Sequence, residues 1–394
     1  MLGFDEARAK LLAMAVPVSA VDEVALAAAH NRVLACDVFA ACDVPPHDNS
    51  AMDGFALRAA DLGSDGILPV SQRIFAGMAP APLQPGTAAR IFTGSVVPEG
   101  ADTVVPQEDC DYSDECVTIR ELAPVGLHIR KRGEDITRGQ KIISVGTLLK
   151  PGHIGLLASL GIGSVKIFRP LRVGLLSTGN EIVAPGTLLQ PGQIYNSNAP
   201  MLRAELEKLG LAVDVRHAID DVTVITDTLR DMAAKNDLLL SIGGVSVGEA
   251  DFIKSAIRAL GTLDLWKVAI KPGKPLSFGR IAGIPAIGLP GNPVAAFATF
   301  QLFARPFLLV MQGVPDVGLT PQQLPVRLKR PMRPAREEFI RVQLQINSGR
   351  EELVPYPHQG SGVLSSVAWA TGFARIPMER ETADGDRVSY LPFT

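Results

Sequence analysis

The sequence predicts a multidomain protein of α/β plus β class, in which an α/β domain with a mainly parallel sheet is joined to two β-rich units. Three observations predict it. At 394 residues the chain is longer than one hydrophobic core usually serves. From Arg172 to about Val310, strand-like apolar runs alternate with segments of helical periodicity. On both sides of that stretch the text breaks into short alternating segments cut by Gly and Pro.

Taken in order, Phe4 to Met14 and Ala20 to Leu34 carry apolar residues at roughly helical spacing. From about 70 to 145, PVSQRIFAG, TAARIFTG, DTVVPQEDC and CVTIREL read as strands of a small β-domain. A helix-like piece, Ile154 to Leu160, precedes Pro170. Then RVGLLST predicts a strand, Ser197 to Leu209 a helix, AVDVRHAI a strand and Val224 to Ala234 a helix. DLLLSI, LDLWKVAI and IPAIGLP predict further strands, with helices at DFIKSAIRALG and from Pro293 to about Val310. Such alternation implies a mainly parallel sheet covered on both faces, with ligands binding past the carboxyl ends of its strands. Beyond Pro315, PVRLKR, EFIRVQLQI, ELVPYP and RVSYLPF predict a third unit, a small β-domain or barrel.

The bulk properties exclude some classes of function. A net charge of -3 with no basic tail argues against nucleic acid as a partner. The start, MLGFDEARAKLLAMAV, lacks the pattern of a signal peptide, and no apolar stretch is expected to span a membrane, so a cytoplasmic protein is expected. Cys36, Cys42, Cys110 and Cys116 show no zinc-ligand spacing and read as reduced thiols.

Three strand ends finish in loops suited to oxyanions: Ser177-Thr178-Gly179-Asn180-Glu181, Gly243 to Asp251, and Gly288 to Pro293. Glycine lets backbone N–H groups approach a phosphate, and a helix N-terminus adds partial positive charge. Ser177, Thr178 and Ser246 add hydroxyl donors, and Pro293 suits a first helical position. Each loop alone is also explained as a tight strand–helix turn; three on one sheet edge favour the anion. Neither a dinucleotide fingerprint nor a P-loop is present.

Lys267, Lys271 and Lys274 crowd one short stretch, and the first two point to the same face if the strand is regular. Compact ammonium groups suit a small tetrahedral oxyanion or a phosphate, though a solvated turn is the usual fate of lysines. The carboxylates Asp53, Asp135, Glu181, Asp220, Asp221, Glu249 and Asp251 are the hard ligands that suit Mg²⁺, which also favours substrate phosphates. Glu181 and Asp251 stand out because they sit in the glycine loops. His47, His128, His153, His217 and His358 are scattered, and nothing signals a covalent nucleophile.

Eight strings occur in sequence: PPHDNSAMDGFA, IFTGSVVPEGADTVVPQED, IRKRGEDI, LLSTGNEIV, GQIYNSN, GGVSVGEADF, WKVAIKPGKP and GLPGNPVAA. With them the chain resembles the molybdopterin molybdenumtransferases of the bacterial MoeA type, related to the E domain of gephyrin. The resemblance runs from about residue 5 to the C-terminus. It implies a MogA-like α/β domain of residues 1–20 and 169–317, and an elongated linking domain of 21–40 and 140–168. It further implies a β-rich domain of 41–139 and a C-terminal β-barrel-like domain of 318–394. The implied reaction inserts molybdate into adenylylated molybdopterin with Mg²⁺-dependent release of AMP. Carried over by motif, the catalytic set is Asp53, Thr93, Asp135, Glu181, Asp220, Asp251, Lys267 and Lys271, with Glu181, Asp220 and Asp251 as metal ligands. Substrate contacts are implied for Ser177, Thr178, Gly179, Gly243, Gly244, Ser246, Gly248, Lys274, Pro290, Gly291, Pro293, Arg341 and Ser361.

The resemblance also implies a homodimer with composite clefts, the β-region of one subunit facing the α/β pocket of the other. Transient contact with an adenylylating enzyme and with molybdoenzyme acceptors is implied as well. The sequence departs from the family at Ala295, where serine is common, at Val222, where proline often follows the acidic pair, and at His47. Two rivals stay open: a receptor-binding scaffold, as in gephyrin, and the preceding adenylylation, performed by a related single-domain fold. The extra β-domains and KPGKP favour insertion. The choice between molybdate and tungstate is open, because the two anions are nearly alike in size and charge.

Overall fold

The computed structural model describes residues 1–121, 123–243, 252–347 and 349–393. Its central sheet has six strands in the order Ala212–Ala218, Arg172–Thr178, Leu238–Ile242, Ile284–Leu289, Pro275–Ile281 and Gly261–Lys267. The first four are mutually parallel, joined by crossovers long enough to carry helices. Pro275–Ile281 runs antiparallel to both its neighbours, joined to each by a short turn, which leaves Gly261–Lys267 with the same sense as the first four. The strand Pro275–Ile281 adds to the elements that the sequence predicts. It is held by pairing on both sides, from Gly261–Lys267 and from Ile284–Leu289.

Helices cover the sheet by their apolar stripes. Phe4–Leu12 buries Phe4, Ala7 and Leu11, one helical face, with the Phe4 ring 5.5 Å from Phe303 and 4.9 Å from Phe339. Burial of Phe4 and of Leu11 is worth about 1.5–3 kcal/mol each. Asn198–Lys208 buries Ala199, Leu202 and Leu206. Val222–Ala233 buries Ile225, Leu229 and Met232, and is capped by Asp221, whose carboxylate accepts from the Val224 amide at 2.9 Å. Asp221 is therefore a capping residue.

The segment Pro293–Met311 corrects the expectation that no stretch could span a membrane, because it is long and apolar enough by length and composition. It is 83% buried, so its hydropathy reflects a place in the core. A π turn at Phe300–Ala304 interrupts it.

The helical spacing of Ala20 to Leu34 is overruled. Val21–Ala25 is a strand paired antiparallel with Ser164–Phe168, followed by a single 3₁₀ turn, Leu26–Ala28. Five residue pairs supply the backbone partners, and Val24 and Leu26 pack onto Ala29, Leu34, Val165 and Ile167. Tertiary pairing outweighs a weak local periodicity. Pro151–Ser159 is helical as expected.

The β-rich unit has six strands in the order Thr103–Pro106, Gly54–Leu57, Ala88–Ile91, Ile67–Ile74, Cys116–Ile119 and Cys110–Tyr112. In the C-terminal unit, Glu337–Asn347 pairs with Arg350–Pro355 and with Gly372–Ile376, which continues through Arg387–Pro392 to Gln322–Pro325. A bridge between Val326 and Leu353 joins the ends of that path, giving the barrel-like closure. The strand expected at PVRLKR lies earlier, at Gln322–Pro325, and Gly372–Ile376 was not foreseen. Phe339, Phe373 and Leu391 of this unit share one apolar cluster with Phe4, Leu175 and Phe297.

Candidate active site

Past the carboxyl ends of the parallel strands lies a cleft of about 1080 Å³. Thr178, Gly179 and Glu181 enter it after Arg172–Thr178, and Asp220 after Ala212–Ala218. Gly243 follows Leu238–Ile242, and Pro290, Gly291 and Pro293 follow Ile284–Leu289. Lys271 and Lys274 come from the turn between Gly261–Lys267 and Pro275–Ile281. Ser361 arrives from the C-terminal unit. These eleven were all expected at the site, and the fold brings them to one cavity.

The two charge types occupy different ends. Glu181 and Asp220 follow the two strands at one edge of the sheet, whereas Lys271 and Lys274 lie between the two strands at the other. Gly179 adopts φ +142, a conformation costly for a side chain, and a Cβ there would also displace the Glu181 carboxylate, whose Oε2 would lie 2.6 Å away. The Asp220 amide donates to Asn180 Oδ1 at 3.0 Å, which ties the two acidic loops together. Glu181 and Asp220 form a donor set that fits Mg²⁺, which takes one or two carboxylates and completes its shell from phosphate and water. Among the described residues no group of three or more metal-ligating side chains is assembled.

Other expected residues stand behind or away from the cleft. Ser177 is buried; its hydroxyl accepts from Asn196 Nδ2 at 2.9 Å and lies 3.3 Å from His217 Nδ1. Arg341 is 1% exposed, with Nε donating to Ser366 Oγ at 3.0 Å and Nη2 to the Gly360 carbonyl at 3.0 Å. Burial pushes its pKa down to about 10, partly offset by Glu338. Arg341 thus holds the 358–362 loop, and that loop presents Ser361, whose carbonyl accepts from the Val294 amide at 3.0 Å. Lys267 is not on the cleft wall. The regular strand that would align it with Lys271 breaks after Lys267, and Ile270–Lys271 joins the C-terminal sheet instead.

Asp53 and Thr93 form a unit on the β-rich domain, apart from this cleft. Thr93 donates to Asp53 Oδ1 from its amide at 2.7 Å and its hydroxyl at 2.8 Å. Those bonds, first the amide and then the hydroxyl, hold the Asp53 carboxyl below its ordinary range. Asp135 is exposed, its amide donating to the Val44 carbonyl at 3.0 Å. Gly244, Ser246, Gly248 and Asp251 lie outside the described residues.

The sequence reading omitted Asn196, Asn198, Arg336 and Gln359, all on the cleft wall. Asn196 Oδ1 accepts from the Ala199 amide at 3.0 Å, starting the helix Asn198–Lys208. Asn198 Nδ2 donates to the Gly291 carbonyl at 2.7 Å, while its buried Oδ1 has no partner among the described residues. The string GQIYNSN carried that signal; no local signal marks Arg336 or Gln359, which reach the cleft only through tertiary folding.

A cleft of this kind, past the strand ends of a mainly parallel sheet, defines an α/β ligand-binding domain, and residues 174–310 match the probable molybdopterin binding domain. Residues 2–161 match the MoeA N-terminal region (domain I and II) and 323–393 the MoeA C-terminal region (domain IV). The chain is 37% identical to the molybdopterin molybdenumtransferase of Haemophilus influenzae, over 100% of this chain and 99% of that one. It is 39% identical to molybdopterin molybdenumtransferase 2 of Mycobacterium tuberculosis, over 94% and 95% of the two chains. The crystal structure of a molybdopterin biosynthesis MoeA protein from Pyrococcus horikosii superposes with a TM-score of 0.81 at 32% identity, covering 100% and 99%. The chain belongs to the MoeA family of molybdopterin molybdenumtransferases, transferases of molybdenum cofactor biosynthesis.

Proposed function

We propose that this chain inserts molybdate into adenylylated molybdopterin with Mg²⁺-dependent release of AMP, as a cytoplasmic homodimer. The observation that carries the reading is the polarised cleft, with Lys271 and Lys274 at one end of the sheet and Glu181 and Asp220 at the other. The ammonium groups suit a tetrahedral dianion, and the carboxylates suit a cation that bridges a pyrophosphate.

In this reading the loop Pro290–Pro293, at the head of the helix Pro293–Thr299, receives a phosphate of the substrate. Lys271 and Lys274 hold the oxyanion, and Glu181 and Asp220, with Asp251, would hold Mg²⁺ against the pyrophosphate. When bound, the metal supplies Lewis-acid polarisation of a phosphoryl oxygen. Asp53, Thr93 and Asp135 are exposed, and in the dimer they would face the cleft of a second copy. Contacts with the adenylylating enzyme and with acceptor molybdoenzymes belong to the same reading.

The test is AMP release from adenylylated molybdopterin and Mg²⁺, with and without molybdate or tungstate. Oxyanion-dependent release is expected, falling about 100-fold or more in Glu181→Gln and Asp251→Ala, the scale on which lost preorganised electrostatics is felt. Tight binding of the adenylate with no release under either oxyanion would overturn the reading.

A further inference from the structure

The turn Lys271-Pro272-Gly273-Lys274 belongs by sequence to the α/β domain but is captured by the C-terminal sheet. Ile270–Lys271 pairs in parallel with the start of Glu337–Asn347, in the register Ile270 to Glu337 and Lys271 to Glu338. The Glu337 amide donates to the Ala269 carbonyl at 2.9 Å, and Arg336 Nη1 to the Ile270 carbonyl at 3.1 Å. Parallel register sets neighbouring side chains on a common face. Accordingly Lys271 Nζ meets Glu338 Oε1 at 2.9 Å, while Glu337, facing the other way, is engaged by Arg375 at 2.6 Å.

The pair is asymmetric. The Glu338 side chain is 9% exposed and that of Lys271 is 51% exposed. A carboxylate so withdrawn from water is stable only when its partners are fixed, so it acts as the anchor and the lysine as the tethered end. Lys274, by contrast, has no ion pair among the described residues. One ammonium at the cleft is therefore placed by the C-terminal domain, and the other is not.

We propose that Glu338 is a positioning residue for oxyanion binding, fixing the Lys271 ammonium at the cleft and making the C-terminal sheet a working part of the α/β site. The inference rests on the reading that Lys271 meets the oxyanion. Glu338 touches no substrate; it acts through Lys271, and its effect must vanish when Lys271 is gone.

The experiment is a double-mutant cycle on the full chain, reading the molybdate KM and kcat of AMP release, with equilibrium binding of molybdate alone by calorimetry. Glu338→Gln is expected to raise the molybdate KM about tenfold and to lower kcat less than about threefold, with Glu338→Asp recovering part of the loss. On a Lys271→Met background, Glu338→Gln is expected to add less than about twofold. A full additional factor on that background, or an unchanged KM in Glu338→Gln and Glu338→Asp alike, overturns the proposal. Lys271 is half exposed, so its variant keeps the cycle informative even if Glu338→Gln folds poorly; Glu338→Asp then takes its place. Wild-type chain that neither binds molybdate nor releases AMP would instead count against the insertion reading itself.

Discussion

Gly273 sits at φ +106, and a Cβ there would come within 2.5 Å of the Thr299 Cγ2 on the buried face of the long helix. Both conditions exclude a side chain, since the backbone conformation is costly and the neighbour is packed. Gly273→Ala is expected to destabilise the chain by about 1–3 kcal/mol and to displace Lys271 and Lys274 together. A thermal melt beside a molybdate titration checks it: a lower Tm with a raised KM is expected, and an unchanged molybdate affinity would refute the link. Arg341 shows the same logic from the polar side. Its guanidinium donates to Ser366 and to the Gly360 carbonyl, so the residue expected as an anion contact also braces a ligand loop. Cys110, buried beside Asp109, has its thiol pushed up to about 11, first by burial, in keeping with four unpaired cysteines.

Among the elements, the strands Arg172–Thr178 and Leu238–Ile242 carry the acidic loop and Gly243, and Asp237 fastens their starts. Arg169 donates to both its carboxylate oxygens at 3.0 and 2.9 Å, and the Arg172 amide donates at 2.8 Å. Burial alone would raise the Asp237 pKa, but the Arg169 and Arg172 bonds outweigh it and hold the carboxyl below its ordinary range. A depressed folded pKa contributes stability that is present above the unfolded value of about 3.9 and is lost as pH falls through the folded one. Asp237→Asn should therefore lower Tm at neutral pH, and the gap from wild type should close as both are taken below about pH 4. Melts between neutral and acidic pH measure it; a gap that persists unchanged in acid would show that the carboxylate charge is not the cause.

At the scale of the whole molecule, Phe339, Phe373 and Leu391 pack in one core with Phe4 and Phe297, so the C-terminal unit is bonded into the domain it serves. The β-rich unit is different: Asp53 and Thr93 are absent from the cleft wall of their own chain. If the clefts are composite, a chain carrying Asp53→Ala and a chain carrying Glu181→Gln, each strongly impaired alone, should complement when mixed. Random re-pairing would make half of the dimers mixed, each with one intact cleft, so about a quarter of wild-type AMP release should return. No recovery after subunit exchange, verified by mass, would rule out a site shared between copies.

The alternation from Arg172 to Met311 was legible because each buried strand and amphipathic helix writes its period into neighbouring residues, and the glycine loops followed from where those strands end. Glu181, Lys271 and Pro293 could thus be singled out without coordinates, and Asp220 through the family resemblance. Other features are non-local and left no periodic trace. Val21–Ala25 is a strand because Ser164–Phe168 pairs with it, and Pro275–Ile281 because neighbours flank it on both sides. The same holds for the tether from Glu338 to Lys271, 67 positions apart, and for Arg336 and Gln359 at the cleft. By itself the sequence determined the class of fold, the phosphate-type loops and the charges available to them. Only the tertiary structure decided which charges meet, because hydrogen-bond register between distant strands, and the cost of leaving a buried carboxylate unpaired, are settled when the chain closes on itself.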